Sequence, residues 1–323
     1  MTPIKAASSN LSSAMFGLLA FAIFSFHDVI IKYLGGIYSP IQIVFFGSLL
    51  TFPLLTLVLI GDNVPGTLRP VHPWWILLRS LSGVASALGA FYAFSVLPLA
   101  QVYAILFAAP LLITILAVPM LGETVRLRRG LAVVIGLAGV MAVLRPSSTE
   151  FGLGHAAALV SAVTGAINAI IVRKIGAEER PVVMILYPMM ANLILMAIAL
   201  PFVYKPMPIM DFGAMSVVAA LVLMAMSCLI TAYRSGVAVI VAPMQYSQIL
   251  WAAVYGALFF NEFPDMMTWV GAGIITLSGL YILKRESTGT TSQNTPVLAT
   301  KTRVGLPVGL RVDSLSKLSD PEK

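Results

Sequence analysis

Charged side chains are scarce in this chain of 323 residues. Only 10% of the residues are charged and 59% are apolar, whereas soluble domains have about 25% charged and about 45–50% apolar residues. The mean hydropathy is +0.95. This composition excludes a water-soluble globular protein. We therefore expect an all-α membrane protein whose outer surface faces lipid.

Residues that support common enzyme chemistry are also few. The chain has one cysteine, Cys228, and three histidines, which excludes an internal disulfide and leaves little for a metal site. It contains no GxxxxGK[ST] phosphate loop, no HExxH or CxxC motif and no GxSxG elbow. We therefore predict that the protein is not an enzyme, has no cofactor or metal, and does not hydrolyse ATP.

Long apolar runs are what the chain does contain. Ten of them approach the length that crosses about 30 Å of hydrocarbon. They cover residues 11–31, 41–60, 74–97, 100–121, 130–144, 153–172, 182–203, 212–231, 236–260 and 268–283. We therefore predict ten transmembrane helices.

Basic residues lie at the ends of these runs and account for the net charge of +7. They form no patch interleaved with aromatic residues, so nucleic-acid binding is not expected. One set of alternate loops holds eleven of them and the other set holds three. The positive-inside rule then places both termini in the cytoplasm of a multi-pass inner-membrane protein. Residues 1–10 form a cytoplasmic N-terminus, and residues 286–323 are predicted to be a disordered cytoplasmic tail.

The ten runs divide into two related sets of five. Residues 139 or 140 positions apart are alike, as in the pairs Asp28 and Asn168, and Glu123 and Glu262. Glutamates that end corresponding runs are not expected by chance in so uncharged a chain. Because five is odd, the second copy is inverted, as in carriers that hold substrate between two halves. We predict one five-helix repeat over residues 11–145 and a second over residues 146–285.

A polar and aromatic stripe marks the ninth run. A helix from Pro243 to Pro264, turning about 100° per residue, places five residues within about 40° of one line: Met244, Gln248, Trp251, Tyr255 and Glu262. Gln245 lies about 60° around the helix from Gln248 and can share its cavity. Amides near the bilayer midplane need protein partners, water or a ligand. The two rings offer flat faces to a ring or a cation. We predict that the two glutamines and two aromatic residues bind substrate, with simple packing as the alternative for the aromatic pair.

The first run holds an aspartate and a lysine four residues apart. On a helix, Asp28 and Lys32 can form an ion pair that anchors the helix near the membrane surface. Alternatively, Asp28 attracts a cationic substrate or takes up a coupling proton. His27 is expected to pack against a neighbouring helix. Four more intramembrane residues complete the predicted substrate cavity: Asn168, Tyr92, Tyr103 and Tyr187.

Arg79 lies near the start of the third run. An unpaired charge at that depth is costly, so we predict a salt bridge to Glu123, which ends the fourth run, or to Asp62. Such a pair either fixes the structure or breaks and re-forms during gating. We predict gating or coupling roles for five charged residues: Asp28, Lys32, Arg79, Glu123 and Glu262.

Two short motifs end corresponding parts of the halves, GET after the fourth run and NEF after the ninth. With ten runs in two halves, they resemble the EamA branch of the drug/metabolite transporter superfamily over about residues 11–285. More narrowly, HDVIIKYLGGIYSPIQIVFF and APMQYSQILWAAVYGALFFNEFPD resemble the S-adenosylmethionine uptake carriers. The chain departs from that pattern at Gly47, where many relatives have arginine, and at Gln245 and Gln248, where the carriers show charged residues.

The resemblance implies a secondary transporter that moves a small organic metabolite by alternating access. Because one scaffold serves several substrates, S-adenosylmethionine, an amino-acid derivative and riboflavin stay open as the substrate. The alternative classes are a membrane channel and a membrane-embedded protein that does not transport. The expected partners are a small-molecule substrate and the lipid bilayer, and the sequence leaves a monomer or a homodimer open.

Overall fold

The computed structural model describes residues 3–60, 68–123, 127–144, 151–235 and 238–288. Within these ranges the chain forms helices and no strand. The α-helices are α1 (Pro3–Gly35), α2 (Pro40–Ile60), α3 (Pro73–Val96), α4 (Leu99–Leu106), α5 (Ala109–Leu121), α6 (Leu127–Leu144), α7 (Leu153–Ile175), α8 (Pro181–Ala199), α9 (Ile209–Ser235), α10 (Ala238–Val241), α11 (Ser247–Phe260) and α12 (Met266–Thr288). Two 3₁₀ segments, Leu200–Phe202 and Ala242–Tyr246, follow α8 and precede α11.

Apolar helices of membrane-crossing length dominate the described part of the chain. Seven stretches there are long and apolar enough to span a bilayer: Leu11–Gly35, Pro73–Val96, Leu99–Leu121, Leu153–Ile175, Val182–Phe202, Ile209–Tyr233 and Met266–Leu283. Pro40–Pro53 and Gly130–Leu144 are shorter apolar helices. Large apolar side chains on the outside, such as Leu127 and Leu258, are exposed as a lipid-facing surface requires. The protein is a multi-pass membrane protein, and the number of crossings and their orientation stay predictions.

Two predictions concern residues at the limits of the described ranges. Helix α12 continues to Thr288, three residues into the segment that was predicted as the tail. The rest of that tail, residues 289–323, lies outside the described residues. Asp62, the second predicted partner of Arg79, also lies outside them.

Proline divides the fourth predicted helix into α4 and α5. Pro110 has no N–H, so the carbonyl of Leu106 has no donor four residues later. The helix is interrupted at Phe107 and Ala108, where ψ is 1° and −14°. Helix α4 is therefore a separate piece of only eight residues, and all but one of its side chains are buried.

The ninth predicted helix begins later than its proline implied. A helix that opens at Pro243 was predicted, but Ala242–Tyr246 form a 3₁₀ segment and α11 begins at Ser247. A 3₁₀ turn advances about 120° per residue, so the predicted angles of Met244 and Gln245 relative to Gln248 are wrong. Gln248, Trp251 and Tyr255 lie within α11 and keep their spacing. The fourth segment of each predicted repeat is thus interrupted, into α4 and α5 in the first repeat and into α10, the 3₁₀ segment and α11 in the second.

Helices from the two halves of the chain pack against each other. Helix α3 lies along α7, where the hydroxyl groups of Ser86 and Ser161 each donate to the other residue's carbonyl oxygen at 3.1 and 2.9 Å. Further along, Gly154 lies against Val96. Residue numbers rise along α3 as they fall along α7, so the two helices are antiparallel. Helix α1 packs along α9 in the other half.

Glycines bring α6 and α12 into close contact. A Cβ atom at Gly271 would lie 2.5 Å from Cγ2 of Val143 and 2.6 Å from the carbonyl oxygen of Gly139. Gly139 in turn faces Ile274. The last helices of the two predicted repeats therefore cross with almost no space between their backbones, and they too run antiparallel.

Candidate functional site

A polar cluster is buried where α1, α4 and α11 meet. The Tyr103 hydroxyl donates to Oδ2 of Asp28, and it accepts hydrogen bonds from Nε2 of Gln248 at 3.2 Å and from the Ser25 hydroxyl at 3.5 Å. On its other oxygen, Asp28 is 2.7 Å from Nδ1 of His27. Each of these five residues is at most 4% exposed. We call them the Asp28 cluster.

Donors surround the carboxylate of Asp28. The Tyr103 hydroxyl reaches one oxygen, and Nδ1 of His27 reaches the other as a donor in the tautomer that carries its proton there. The His27 ring also packs on Phe91 of α3, with centroids 6.4 Å apart, so its predicted packing role describes only part of its contacts. A buried carboxylate in such a setting can hold a cationic ligand group or take up a proton.

Discontinuous segments supply the two partners from outside α1. Tyr103 lies on α4, which Pro110 separates from α5, and Gln248 is the second residue of α11, directly after the 3₁₀ segment. Interrupted helices at membrane depth are tolerated where their polar groups are buried in protein or line a cavity. The two interruptions therefore bring a hydroxyl and an amide to one carboxylate.

The predicted aromatic pair lies beside the Asp28 cluster without joining it. Trp251 and Tyr255 stack with centroids 6.1 Å apart, and Tyr255 meets the edge of Phe26 at 5.8 Å. Phe26 is about 200° around α1 from Asp28. Among the described residues, Nε1 of Trp251 is buried without a hydrogen-bond partner. Packing of the two rings does not give this N–H donor a hydrogen-bond acceptor.

Lys32 does not pair with Asp28, so the predicted ion pair within the first helix is wrong. Its Nζ lies 2.8 Å from Oε1 of Glu262 and donates to the carbonyl oxygen of Leu97 at 2.5 Å. The second oxygen of Glu262 accepts the backbone N–H of Leu99 at 3.3 Å. This ion pair joins α1 to the turn between α3 and α4 and to the end of α11.

The predicted salt bridge between Arg79 and Glu123 is also wrong. Arg79 is 1% exposed, and it donates from Nη1 to Oδ1 of Asn168 and from Nε to the carbonyl oxygen of Met184 at 3.1 Å. In the described part of the chain no carboxylate lies within ion-pairing distance of its guanidinium. Asn168 therefore binds Arg79 instead of lining the Asp28 cluster.

Glu123 pairs with Arg173, a residue that the sequence reasoning missed. Nη2 of Arg173 lies 2.5 Å from Oε1 of Glu123, and the neighbouring Lys174 donates to the carbonyl oxygen of Met120 at 2.9 Å. The signal was present, because Arg173 stands 141 positions after Lys32, close to the offset of the repeat. Ser25 was expected near the same face of the first helix as Asp28 but was not predicted to bind substrate, and it belongs to the Asp28 cluster.

The remaining predicted residues lie elsewhere. Tyr187 is 38% exposed and donates to the carbonyl oxygen of Leu68 at 3.3 Å. Tyr92 and Gln245 are half-buried and make no hydrogen bond to the Asp28 cluster within the described ranges. In those same ranges, no group of three His, Cys, Asp or Glu side chains is arranged to hold a metal ion.

A bundle of apolar helices around a buried carboxylate defines an integral membrane protein with an internal polar site. The particular family follows from the sequence. The model of the EamA-like transporter family matches residues 11–145 and again residues 152–284. The chain therefore belongs to the EamA-like transporter family, which confirms the predicted resemblance.

Similar proteins are named as transporters. An S-adenosylmethionine uptake transporter of Rickettsia bellii is 26% identical over 83% of this chain and 92% of its own length. The pseudopaline exporter CntI of Pseudomonas aeruginosa is 25% identical over 86% of this chain and 98% of its own length. A solved crystal structure shares the fold with a TM-score of 0.56 and 17% identity, covering 85% of this chain and 96% of that one.

Proposed function

We propose that this protein is a secondary transporter that moves a small organic metabolite across the bacterial inner membrane by alternating access. Its substrate site is the Asp28 cluster, bordered by Trp251 and Tyr255. The halves are inverted five-helix repeats over residues 11–145 and 146–285, together making ten crossings with both termini in the cytoplasm.

The observation that carries this proposal is the burial of Asp28 together with Tyr103 and Gln248. Polar and ionisable groups inside a membrane protein are expensive and are retained where they serve a pathway or a ligand. Here one carboxylate, one hydroxyl and one amide converge from three helices. A purely structural bundle has no need to gather them at one point.

Three features support inverted repeats. The family model matches two consecutive segments, α6 and α12 are antiparallel counterparts, and the contact of α3 with α7 has its equivalent in that of α1 with α9. Repeats related in this way form carriers whose site lies at their interface. The Asp28 cluster has this character, because α1 and α4 belong to the first repeat and α11 to the second.

The substrate that fits is a small metabolite with a cationic or hydrogen-bond-donating group for Asp28. S-adenosylmethionine, an amino-acid derivative and riboflavin are the alternatives. Curated relatives of this chain include an uptake transporter and an exporter. The transport experiment below therefore measures both uptake and export of the metabolite. The alternative to direct substrate contact is that Asp28 carries a coupling proton. Measuring transport with and without an imposed pH gradient distinguishes these two roles.

The deciding experiment measures uptake and exchange of radiolabelled metabolites in proteoliposomes. We expect saturable uptake and counterflow for one member of a panel that contains S-adenosylmethionine, amino acids and riboflavin. Asp28→Asn and Gln248→Ala are expected to lower transport by about ten-fold or more, because each removes a buried polar partner. Glu178→Gln is the matched control, since its carboxylate is exposed and bonds His72.

Three outcomes would count against this function. Linear, non-saturating flux without counterflow identifies a channel. Full transport by both Asp28→Asn and Gln248→Ala removes the substrate site from the Asp28 cluster. If the protein is folded and inserted but carries no member of the panel, it belongs to the class of membrane-embedded proteins that do not transport.

A further inference from the structure

Two ion pairs in this bundle are built in the same way. Lys32 of α1 pairs with Glu262 at the end of α11, and Arg173 of α7 pairs with Glu123 at the end of α5. In each pair the cation comes from the first helix of one predicted repeat. The carboxylate follows the fourth segment of the other repeat. Both pairs therefore join the two halves of the molecule.

The backbone presents the two carboxylates identically. Each glutamate follows a residue in the left-handed conformation, Gly122 with φ 70° and Asn261 with φ 54°, which ends the preceding helix. The N–H of Glu123 donates to the carbonyl oxygen of Ala117 at 3.3 Å, and that of Glu262 donates to the carbonyl oxygen of Gly256 at 3.0 Å. In both cases the acceptor lies six residues earlier.

The pairs close opposite ends of the bundle. Lys32 binds the carbonyl oxygen of Leu97, and Leu97 contacts Gly154 near the start of α7. Arg173 stands 19 residues further along that helix, or about 28 Å away at 1.5 Å per residue. We call these places the Lys32 end and the Arg173 end. The Asp28 cluster begins one helical turn inside the Lys32 end.

We propose that the two ion pairs are the gates of the carrier, and that Arg173 is the gate cation which pairs with Glu123. This inference rests on the transport function proposed above. Opening the bundle at one end breaks the ion pair there, while the other pair holds the opposite end shut. Both pairs are formed in this structure, so it has both ends closed around the Asp28 cluster.

The two gates differ in exposure. The side chains of Lys32 and Glu262 are 9% and 23% exposed, whereas those of Arg173 and Glu123 are 1% and 11% exposed. Water already reaches the Lys32 pair and replaces its contacts more readily when the two side chains separate. The carrier without substrate therefore opens more often at the Lys32 end.

A reporter cysteine tests the gates without any substrate. In full-length protein carrying Cys228→Ser, Ala252→Cys places a thiol on α11 one turn beyond Gln248, at a site that is 1% exposed. Its rate of reaction with a charged, membrane-impermeant methanethiosulfonate is measured from each side of oriented proteoliposomes. We expect faster reaction from the Lys32 end than from the Arg173 end.

Removing one carboxylate is expected to open only its own end. Glu262→Gln raises labelling from the Lys32 end and Glu123→Gln raises it from the Arg173 end, each by about ten-fold, which corresponds to about 1.4 kcal/mol of lost closure. Glu178→Gln is expected to change neither rate, because its carboxylate is 64% exposed and an exposed ion pair contributes little. Equal changes from both sides, or no change, overturn the proposal.

Charge exchange keeps the test valid if a neutral variant fails to fold. Lys32→Glu raises labelling from the Lys32 end, and adding Glu262→Lys lowers it again. The recovery is partial, because the exchanged side chains cannot make the bonds to the Leu97 carbonyl and the Leu99 N–H. If the exchanged pair folds and labelling stays fast, the ion pair is a packing contact and the gate assignment is lost. The labelling result is independent of metabolite uptake, so failure of the transport panel and failure of the gates are distinguishable.

Discussion

Arg79 donates its Nε–H to the carbonyl oxygen of Met184 at 3.1 Å, and this carbonyl is the one that proline deprives of its helical donor. Pro188 stands four residues later inside α8 and has no N–H. The arginine thus supplies from α3 the hydrogen bond that α8 cannot make for itself. A buried cation that was predicted to need a carboxylate instead satisfies two neutral acceptors.

The first prediction concerns this contact. Arg79→Met leaves the Met184 carbonyl and the Asn168 amide oxygen without their donor, and it is expected to destabilise the protein by about 2 kcal/mol. The measurement is the apparent Tm of purified protein in detergent.

Pro188→Ala provides the control, because it restores an N–H at residue 188. In that background Arg79→Met is expected to lower the Tm by less. An equal loss in both backgrounds contradicts the stated role of the Met184 carbonyl.

The second prediction concerns the hydroxyl at the centre of the Asp28 cluster. Tyr103→Phe keeps the ring, which packs against Phe94 and Phe107, and removes the group shared by Asp28 and Gln248. We expect an apparent substrate affinity about ten-fold weaker, because two buried polar groups lose a partner. Saturation curves in proteoliposomes measure it, with Tyr92→Phe as the matched change outside the cluster. Unchanged affinity in Tyr103→Phe excludes the hydroxyl from the site.

The third prediction concerns the contact between α6 and α12. Gly271→Ala places a Cβ atom 2.6 Å from the carbonyl oxygen of Gly139, and backbone atoms cannot move aside without shifting a helix. We expect a loss of about 1–3 kcal/mol, as for overpacking elsewhere. Gly273→Ala lies two residues away on the same helix with nothing within 4 Å, and it is expected to be neutral or stabilising. Thermal unfolding of the two variants side by side separates crowding from helix propensity.

The fourth prediction concerns pH. The Tyr38 hydroxyl donates to Oδ2 of Asp211 at 2.6 Å, and this hydrogen bond, aided by burial, raises the pKa of Tyr38 to about 12 from its ordinary value near 10. A pKa raised on folding stabilises the fold below the ordinary value, and that stability is lost as pH rises through the raised value.

Tyr38→Phe is therefore expected to lower the Tm at pH 8. The difference from the parent protein should shrink between about pH 10 and about pH 12. Tyr33→Phe is the control, because that side chain is 57% exposed. A difference that stays constant over the whole range means that the hydrogen bond is not the source of the stability.

Composition and the spacing of charges were enough to predict much of the architecture. The scarcity of charge predicted the membrane, and the offset between Glu123 and Glu262 predicted two related halves. The family model matches residues 11–145 and 152–284, and the division into related halves stays a prediction. These inferences work because lipid imposes a strong constraint on composition, and because helix spacing is readable along one chain.

Partners across helices were harder to predict. Lys32 is four residues from Asp28 and 230 residues from Glu262, and spacing favoured the nearer carboxylate. Which carboxylate pairs with Lys32 depends on where α11 ends, and the left-handed conformation of Asn261 sets that end. The same limit applied to Arg79, since the missing hydrogen bond at Pro188 becomes a reason to recruit an arginine only once α3 and α8 lie side by side.

In the inverted repeats proposed above, Asp28 and Asn168 occupy matching places in the two halves, and only Asp28 is ionisable. A carrier built in this way cannot behave the same when substrate approaches from its two faces. Substrate arriving from the Lys32 end meets the carboxylate within a turn of entry, whereas substrate from the Arg173 end must first pass most of the length of α7. Forward and reverse translocation should accordingly have different half-saturation concentrations. The cause of this asymmetry is that one half has an amide, Asn168, where the other has a carboxylate, Asp28.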